Sequence, residues 1–340
     1  MKILWQSKSP NVALAYSQGS DSAFINGGNA YDVEAVRVLS QNFDIGVDDF
    51  TIRRKGESVL KYWWRMSRYK APAELLIMEP FPIVYGNRSD AQKSIAMIHH
   101  IDPVIMNDGV YHRWYFNRLL RRARYCDMIV TVSEYWKNYF VQQGSTHVEV
   151  IYNSFDPEKY GAVTEPETSF RQRLGIPADK KIVYIGNALK EKGVYEVYEA
   201  LKSSPYHLVM TGKENKAPGL PVQHLNLSRE DYLSLLKFSS VVISFSLMVE
   251  GWNRIAHEAL LSGTPVIGSG SGGMHELLSG AGQPIVDAQE NLASAVEQVL
   301  ASREEYVKRG YAYVHKFDKT YFLRRWKEVV ETVMEGKVKI

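Results

Sequence analysis

The chain has 340 residues, of which 45% are hydrophobic and 23% are charged, and its formal net charge at pH 7 is +3. This length exceeds one typical domain and fits two, and the apolar content excludes an intrinsically disordered chain. The single cysteine, Cys126, excludes an internal disulfide framework and is compatible with a reducing cytosol.

Targeting and membrane-spanning segments are not evident in the sequence. The apolar run at residues 1–5 is too short for a signal peptide. No uninterrupted apolar run approaches the length of a transmembrane helix. The sequence therefore predicts a cytoplasmic protein.

Positive charge is concentrated in residues 51–125, which hold 14 Lys or Arg against 6 Asp or Glu. Two dense blocks within it, Lys61–Lys70 and Arg113–Arg124, also carry or adjoin Trp and Tyr. Such blocks suit an anionic bilayer, where Trp and Tyr lie at headgroup level. The alternative is a pair of amphipathic helices whose aromatic side chains face the core. Peripheral contact with the inner face of a membrane stays open, and no nucleic-acid partner is expected.

The N-terminal segments predict a strand, a loop and a helix. Residues 1–5 form the strand, and residues 7–28 form a polar loop that contains glycine. Apolar residues then recur at helical spacing from Val33 to Leu39. Gly27 and Gly28 lie at the start of this helix, where bare backbone amides can approach a diphosphate.

Two apolar runs of strand length follow, at residues 75–78 and 95–98, and the second leads directly into His99 and His100. A histidine at the carboxyl end of a parallel strand lies where open α/β sheets bind ligands. Adjacent strand residues point to opposite faces, so the two histidines are not expected to bind one metal ion. A structural turn without a ligand is the alternative interpretation.

Strand and helix patterns then alternate on both sides of a polar segment, residues 161–169. Before it, strands at 128–132 and 148–151 flank a helix that ends near residue 143. After it, strands are predicted at 181–186, 207–211, 241–244 and 265–267. Three helices end the chain, and the last carries Phe322, Trp326, Val329 and Val330 on one face. This alternation predicts two α/β domains that face a cleft.

The most informative stretch is residues 249–259, with Glu250 and Glu258 eight positions apart. Asn253 is a plausible N-cap of the helix between them, and backbone amides near residues 254–256 would suit an anionic oxygen or a diphosphate. Glu258 lies little more than one turn after the start of this helix, where a carboxylate can accept hydrogen bonds from ribose hydroxyls.

This stretch resembles the Glu-x7-Glu motif of retaining glycosyltransferases with the GT-B fold, family 4 above all. The Gly263-Thr264-Pro265-Val266-Ile267 strand and the Gly272–Glu276 turn fit the same pattern. The resemblance implies two Rossmann-like domains, 1–160 on the acceptor side and 161–319 for the nucleotide sugar. It also implies a C-terminal helix, 320–340, that packs back on the first domain.

The resemblance assigns roles to particular residues. Glu250, His99 and Lys192 are the catalytic candidates, with His100 as the alternative to His99. Lys192 belongs to a strand-Gly-Arg-x4-Lys-Gly element and would neutralise the leaving diphosphate. Asn187 stands in place of the arginine, and Lys190, Lys213 or Arg254 are candidates to compensate for it. The donor-binding candidates are Gly27, Gly28, Gly186, Asn187, Leu225, Gly251, Trp252, Asn253, Arg254, Ile255 and Glu258.

The implied reaction is transfer of a sugar from a nucleotide donor, UDP- or GDP-linked, to a hydroxyl of a glycan or lipid-linked acceptor. The resemblance implies retention of anomeric configuration, no metal ion and no further cofactor. Two alternatives remain open: an epimerase or phosphorylase on the same fold, and a catalytically weak partner subunit.

One further motif suggests an oxidoreductase, but the residues that follow the motif argue against that class. Gly268–Gly273 satisfies the G-x-G-x-x-G pattern after a strand. A dinucleotide site needs a long helix after this loop. Here residues 274–278 are expected to form barely one turn before a Ser-Gly-Ala-Gly segment.

Overall fold

The computed structural model describes residues 1–18, 27–87, 92–213 and 216–336. The chain forms two compact units: Met1–Ser154 with Lys319–Ile340, and Phe155–Asp318. The first boundary between them follows Ser154, whereas the sequence analysis places it after residue 160. Tyr160 belongs to the second unit because its buried hydroxyl donates to Glu258 Oε1 at 2.9 Å there.

The first unit is built on a six-stranded parallel sheet in the order β2-β1-β3-β4-β5-β6. The strands are β1 (Lys2–Gln6), β2 (Asp44–Asp48), β3 (Leu75–Met78), β4 (Lys93–Met97), β5 (Met128–Thr131) and β6 (Val148–Val150). Strands β3 and β5 are buried along their whole length, as expected for parallel strands covered on both faces. The strands predicted near residues 75, 95, 128 and 148 are confirmed, and β2 was not foreseen.

Within the described residues, seven helices precede the unit boundary: α1 (Pro10–Gln18), α2 (Gly27–Leu39), α3 (Val59–Arg68), α4 (Pro80–Tyr85), α5 (Pro103–Asn107), α6 (Gly109–Ala123) and α7 (Glu134–Gln142). Helix α1 lies inside the segment predicted as a loop, so that prediction was wrong for residues 10–18. The helix forms there because Val12 and Ala15 pack against Val33 of α2. Residues 19–26 of the predicted loop lie outside the described residues.

The second unit is built on a five-stranded parallel sheet in the order β11-β10-β7-β8-β9. Its strands are β7 (Ile182–Asn187), β8 (His207–Thr211), β9 (Gln223–Leu225), β10 (Val241–Ser244) and β11 (Val266–Gly268). Its helices are α8 (Pro157–Gly161), α9 (Glu167–Leu174), α10 (Val194–Leu201), α11 (Arg229–Phe238), α12 (Arg254–Leu261), α13 (Gly273–Gly280), α14 (Leu292–Ala301) and α15 (Arg303–Val314), with 3-10 turns at Lys190–Lys192 and Gln289–Asn291.

The last helix, α16 (Lys319–Met334), packs back on the first unit. The predicted apolar face is confirmed, since Phe322, Trp326, Val329 and Val330 are all buried. Trp326 packs edge-on against Trp5 of β1 with ring centroids 5.3 Å apart. The fold prediction of two parallel α/β domains with a returning C-terminal helix is therefore confirmed.

Each sheet has one point where the strand order reverses direction. In the first sheet it lies between β1 and β3, and in the second between β7 and β10. Loops that leave neighbouring strands in opposite directions open a crevice at such a point, at the carboxyl ends of the strands. Candidate sites are therefore expected in the loops after β1, β3, β7 and β10.

Among the residues that the structure describes, no helix combines the length and apolar character needed to cross a membrane.

Candidate functional site

Two of the predicted catalytic residues meet at the reversal point of the second sheet. Lys192 follows β7, Glu250 follows β10, and Lys192 Nζ lies 2.6 Å from Glu250 Oε1. The lysine side chain is 26% exposed and the glutamate side chain 11%. The pair thus places one cation and one carboxylate at the edge of the crevice, both partly accessible to a ligand.

The turn that holds Lys192 is fixed by its contact with the loop after β10. Gly193 has a φ of 69°, and a Cβ built there would lie 1.9 Å from the Phe245 carbonyl oxygen. Only glycine allows this approach. The Leu247 amide also donates to the Glu191 carbonyl at 2.9 Å. The Lys-Gly pair is therefore needed to bring Lys192 beside the strand that leads to Glu250.

A second glycine contact fixes Glu250. Gly272 forms an isolated parallel bridge with Glu250, and the Gly273 amide donates to the Glu250 carbonyl at 2.9 Å. A Cβ at Gly272 would lie 2.4 Å from that carbonyl oxygen. The Gly-Gly turn is therefore a support for the Glu250 loop.

The helix that follows this Gly-Gly turn is longer than the sequence predicts. Helix α13 has eight residues, whereas barely one turn was predicted after the G-x-G-x-x-G pattern. The oxidoreductase reading therefore cannot be dismissed on helix length. It is disfavoured on another ground, because the Gly273 amide at the start of this helix already bonds to Glu250.

The start of α12 is organised by Asn253, the one non-glycine residue with positive φ among the described residues, at 72°. Asn tolerates this left-handed conformation better than most residues. Its Oδ1 accepts from the Ala256 amide at 2.9 Å, and its Nδ2 donates to Ser244 Oγ at 2.7 Å. The N-cap prediction is confirmed. The expectation that the Ala256 amide is available to a ligand is wrong, because the cap occupies it.

The side chains on either side of Asn253 have different environments. The Arg254 guanidinium lies over the Phe155 ring, 4.3 Å from its centroid. Trp252 is buried, and its indole N–H donates to His257 Nδ1 at 3.0 Å. Burial lowers the pKa of His257 to about 3, so this ring is neutral. The Trp252 side chain is thus part of the core beneath the loop. Gly251 directly precedes Trp252, and Ile255 lies in the first turn of α12.

Glu258 is buried in a cluster of donors. Its Oε1 accepts from Tyr160 at 2.9 Å and from Arg229 Nη2 at 2.9 Å, and its Oε2 accepts from Tyr232 at 3.0 Å. Burial, and then the charge of Glu258, raises the pKa of Tyr160. A carboxylate has about four acceptor positions, so these contacts leave room for one further donor.

The other donor-binding candidates of the second unit lie at strand ends. Gly186 and Asn187 end β7, and Leu225 ends β9 and is buried. Asn187 Oδ1 lies against Gly212, where a Cβ would approach it to 1.9 Å. The residue in the arginine position therefore packs on the neighbouring strand end. Both Lys190 and Lys213 are exposed.

The remaining candidates belong to the first unit. Gly27 and Gly28 are the first residues of α2. His99 Nε2 lies 3.0 Å from Asp32 Oδ1 of the same helix, and its ring packs edge-on against Tyr31. His100 is exposed, with its ring 6.4 Å from that of Trp136. No group of three His, Cys, Asp or Glu side chains that could hold a metal ion occurs within the described ranges.

Sequence reasoning missed Tyr160, Arg229 and Tyr232 around Glu258, and Asp32 beside His99. Two of them left a signal. Arg229 is the first residue of α11, where a cation opposes the helix dipole, so a nearby carboxylate partner is indicated. Asp32 lies on the apolar stripe of α2 with Val36 and Leu39, where a charged residue needs a partner.

Two family models match the chain. Residues 166–313 match the model described as Glycosyl transferases group 1, and residues 59–159 match Glycosyltransferase Family 4. Both describe the domains that carry the motifs above. Residues 166–313 thus match the group 1 glycosyl transferases, and the chain has the two-domain fold of GT-B glycosyltransferases.

Individual proteins agree with this assignment. The O-antigen chain mannosyltransferase RfbU of Salmonella typhimurium is 26% identical over 238 residues, covering 65% of this chain and 64% of that protein. Two further curated glycosyltransferases, 29% and 28% identical, match over only 38% of their own lengths. The chain thus spans about two fifths of the length of these two relatives.

Among solved structures, sucrose-phosphate synthase from Thermosynechococcus elongatus has a TM-score of 0.76 at 15% identity, covering 99% of this chain and 100% of that one. HepE from Anabaena in complex with UDP-glucose has a TM-score of 0.69 at 19% identity, covering 98% and 100%. At these identities the likeness shows the shared fold.

Proposed function

We propose that the protein transfers a sugar from a nucleotide-sugar donor to a hydroxyl group of a glycan or lipid-linked acceptor. The Lys192–Glu250 pair supports this most directly, because it lies at the reversal point of the second sheet in a group 1 glycosyl transferase domain. The pair offers a cation for a departing diphosphate and a carboxylate for the hydroxyls of a sugar.

In this proposal Lys192 and the start of α12 neutralise the diphosphate as it leaves. A charge that is already in place where negative charge develops lowers the barrier by about 2 to 4 kcal/mol. Glu250 orients the donor sugar, and Glu258 uses its remaining acceptor position for a ribose hydroxyl. Gly27, Gly28 and His99 of the first unit keep the roles that the family resemblance predicts.

The proposal includes retention of configuration and a reaction that needs no metal ion. Lys192 and Arg254 supply positive charge from the protein itself, which supports metal independence. The HepE structure contains UDP-glucose, which favours a UDP-linked donor here. RfbU is named for the O-antigen chain, which favours a polysaccharide or its lipid-linked precursor as acceptor.

Calorimetric titration with UDP, GDP and ADP, each with EDTA and again with Mg²⁺, tests the donor site. We expect one nucleotide, UDP above the others, to bind equally well with EDTA and with Mg²⁺. Binding that requires Mg²⁺ would remove metal independence from the proposal. Failure of all three to bind would favour the alternative of a partner subunit without a donor site.

Peripheral membrane contact is a further part of the proposal, and it rests on an exposed aromatic surface of the first unit. Helices α3 and α6 form from the two basic aromatic blocks, as the core-packing alternative expects, yet most of their large side chains point outward. Tyr62, Met66, Leu119 and Leu120 are buried, whereas seven apolar or aromatic side chains of the two helices are more than 40% exposed: Val59, Leu60, Trp63, Trp64, Val110, Tyr111 and Trp114.

Tyr85 of α4 joins the two helices into one surface. Its ring lies 5.0 Å from that of Trp63, and its hydroxyl lies 2.8 Å from that of Tyr111. Exposed basic side chains accompany it: Lys61, Arg68, Lys70, Arg113, Arg121 and Arg124. Aromatic side chains with cations around them suit the headgroup region of an anionic bilayer.

Not every arginine of the blocks is available to lipid. Arg65 pairs with Glu57 at 2.9 Å and donates to the Ile52 carbonyl at 3.0 Å. The hydrogen bond from Arg65 lowers the pKa of Glu57 to about 2. Arg118 likewise donates to the Val84 carbonyl at 2.9 Å. Both stabilise the unit, and a test of membrane binding must leave them in place.

We expect the double variant Lys61→Gln/Arg68→Gln to bind vesicles of mixed anionic and zwitterionic lipid at least tenfold more weakly than the wild type. Each basic residue near such a surface contributes about 1 kcal/mol. The matched control is Lys180→Gln/Lys181→Gln, which removes two exposed charges from the second unit. Equal binding by wild type and both double variants in a flotation assay would contradict the membrane contact.

A further inference from the structure

A loop with three consecutive cations lies at the carboxyl edge of the first sheet. This basic loop, residues 49–57, follows β2 and carries Arg53, Arg54 and Lys55, which are all exposed. Within these described residues the exposed carboxylate is Asp49, because the other acid, Glu57, is buried. The basic loop therefore presents more positive than negative charge at the edge where open α/β sheets bind ligands.

Hydrogen bonds join the basic loop to the end of β1, at the reversal point of the first sheet. The Ser7 amide donates to the Asp48 carbonyl at 3.3 Å, and Thr51 Oγ1 donates to the Ser7 carbonyl at 2.8 Å. The carboxylate of Asp48, the last residue of β2, accepts from the Phe50 amide at 3.2 Å and from Gln6 Nε2 at 3.1 Å. The start of the loop is therefore held against the strand that borders the crevice.

Side chains of α3 fix the backbone of the basic loop. Arg65 pairs with the buried Glu57 at 2.9 Å and donates to the Ile52 carbonyl at 3.0 Å. The hydroxyl of Tyr62, which is itself buried, donates to the Thr51 carbonyl at 2.9 Å. Buried polar groups need partners of this kind, and here one helix supplies them to successive loop residues. The loop therefore has a fixed conformation.

Two of the three cations lie on a tight turn. The Glu57 amide donates to the Arg54 carbonyl at 3.0 Å, and Gly56 has a φ of 77°. A positive φ at the third position, after Lys55, is typical of a type II turn, and glycine adopts it without strain. Arg53 is tied to the same turn, because its Nε donates to the Glu57 carbonyl at 2.8 Å. The turn thus sets Arg54 and Lys55 side by side.

The basic loop continues directly into the exposed aromatic surface of α3 and α6. Ser58 follows the loop and caps α3, where its hydroxyl accepts from the Lys61 amide at 3.2 Å. Val59 and Leu60 in the first turn of α3 are 54% and 83% exposed. One end of the loop is thus bonded to the edge of the crevice, and the other end leads into the surface proposed to meet a bilayer.

An arginine and a lysine side by side on a fixed turn suit a phosphate group. A guanidinium can donate two parallel hydrogen bonds to phosphate oxygens, and an ammonium adds a point charge. A monoester phosphate carries about −1.5 to −2 charges at pH 7. In a lipid-linked acceptor the phosphate lies between the lipid chain and the sugar that is to be extended. The basic loop occupies the corresponding place between the bilayer surface and the crevice.

We propose that Arg54 and Lys55 bind the phosphate group of a lipid-linked acceptor, so that the enzyme extends a sugar anchored in the bilayer. The inference rests on the proposed function, because it selects one of the two acceptor classes that the function leaves open. A soluble sugar phosphate has the same phosphate chemistry, and the test distinguishes it. Binding of the lipid phosphate is measured without sugar transfer.

The test compares zwitterionic vesicles that contain either a polyprenyl phosphate or phosphatidylglycerol at matched surface charge. Flotation of the full chain gives the ratio of the two affinities. We expect the wild type to prefer the polyprenyl phosphate at least tenfold, because a monoester phosphate offers more charge and more open oxygens to the two cations. Arg54→Gln/Lys55→Gln should bring the ratio close to one. Both side chains are exposed, so this variant is expected to fold.

The matched control is Lys61→Gln/Arg68→Gln, which removes two exposed cations from the adjoining helix. It should weaken binding to both kinds of vesicle and leave the ratio of affinities unchanged. A wild-type ratio near one overturns the proposal. An equal fall of the ratio in both double variants overturns it as well, because the preference would then belong to surface charge in general.

Inorganic phosphate distinguishes the two sources of the phosphate group. Suppose that the wild type binds inorganic phosphate in a calorimeter, that Arg54→Gln/Lys55→Gln removes this binding, and that the vesicle ratio is near one. That result overturns the lipid-linked acceptor and assigns the loop to a soluble phosphate. A vesicle ratio of tenfold or more that falls only in Arg54→Gln/Lys55→Gln supports the lipid-linked acceptor.

Sugar transfer separates this proposal from the proposed function. A preference for polyprenyl phosphate in a protein that transfers no sugar supports the lipid phosphate site and contradicts the function. Sugar transfer by a protein without that preference overturns the lipid phosphate site and leaves the function in place.

Discussion

Replacing Lys192 by glutamine is expected to lower kcat roughly 100- to 1000-fold, the range seen when one preorganised electrostatic group is removed from a transition state. The reason is that Lys192, at the reversal point of the second sheet, is proposed to neutralise charge that grows as the diphosphate leaves. Nucleotide affinity should fall less than kcat, because the ground state carries less charge at the breaking bond. Steady-state kinetics and calorimetry of the same variant measure both quantities.

Lys181→Gln is the matched control, since it removes an exposed lysine from the opposite, amino end of β7. It should stay within about threefold of the wild type. Glu250→Gln breaks the same 2.6 Å ion pair from the other side. If the pair acts as a unit, the double variant should lose much less than the product of the single losses. Fully multiplicative losses would contradict a joint role.

Replacing Glu258 by alanine is expected to lower the free energy of unfolding of the second unit by about 3 kcal/mol, and to weaken nucleotide binding as well. The loss of stability arises because the hydroxyl groups of Tyr160 and Tyr232 lose their acceptor, and each unsatisfied buried group costs about 1 to 3 kcal/mol. Denaturant unfolding and nucleotide calorimetry measure the two effects.

A triple variant separates the structural role of Glu258 from its proposed contact with ribose. Adding Tyr160→Phe and Tyr232→Phe to Glu258→Ala removes the stranded hydroxyls, so most of the lost stability should return. Nucleotide affinity should not return, because the acceptor for ribose is still missing. Recovery of both quantities would assign Glu258 to the fold alone.

Much of this site could be predicted from the sequence because its residues lie close together along the chain. The Glu-x7-Glu stretch contains its own cap, and Asn253 bonds to Ala256 only three positions away. The strands were equally predictable, since buried parallel strands such as β3 are short, uninterrupted apolar runs. Edge strands β2 and β9 were missed because Asp44–Asp48 and Gln223–Leu225 lack such a run.

The predictions that failed concern contacts between distant segments. The loop prediction around α1 failed because Val12 and Ala15 are helical through their packing against Val33. The donors around Glu258 were not foreseen, because Tyr160 comes from a segment 98 residues away. The sequence does not show which cations of the Lys61–Lys70 block are accessible, and Arg65 is already bound by Glu57 and by backbone carbonyl groups.

The sequence by itself therefore determined the two-domain α/β class, the family and the residues of the Glu-x7-Glu and Lys-Gly elements. These follow from local patterns, namely apolar runs, caps and glycine turns within a few residues. Only the tertiary structure decided which charges meet. It joined Lys192 to Glu250, surrounded Glu258 with three donors, and placed Asp32 beside His99. The physical reason is that parallel strands bring loops from distant parts of the chain to one edge of each sheet, and buried charges there must find partners.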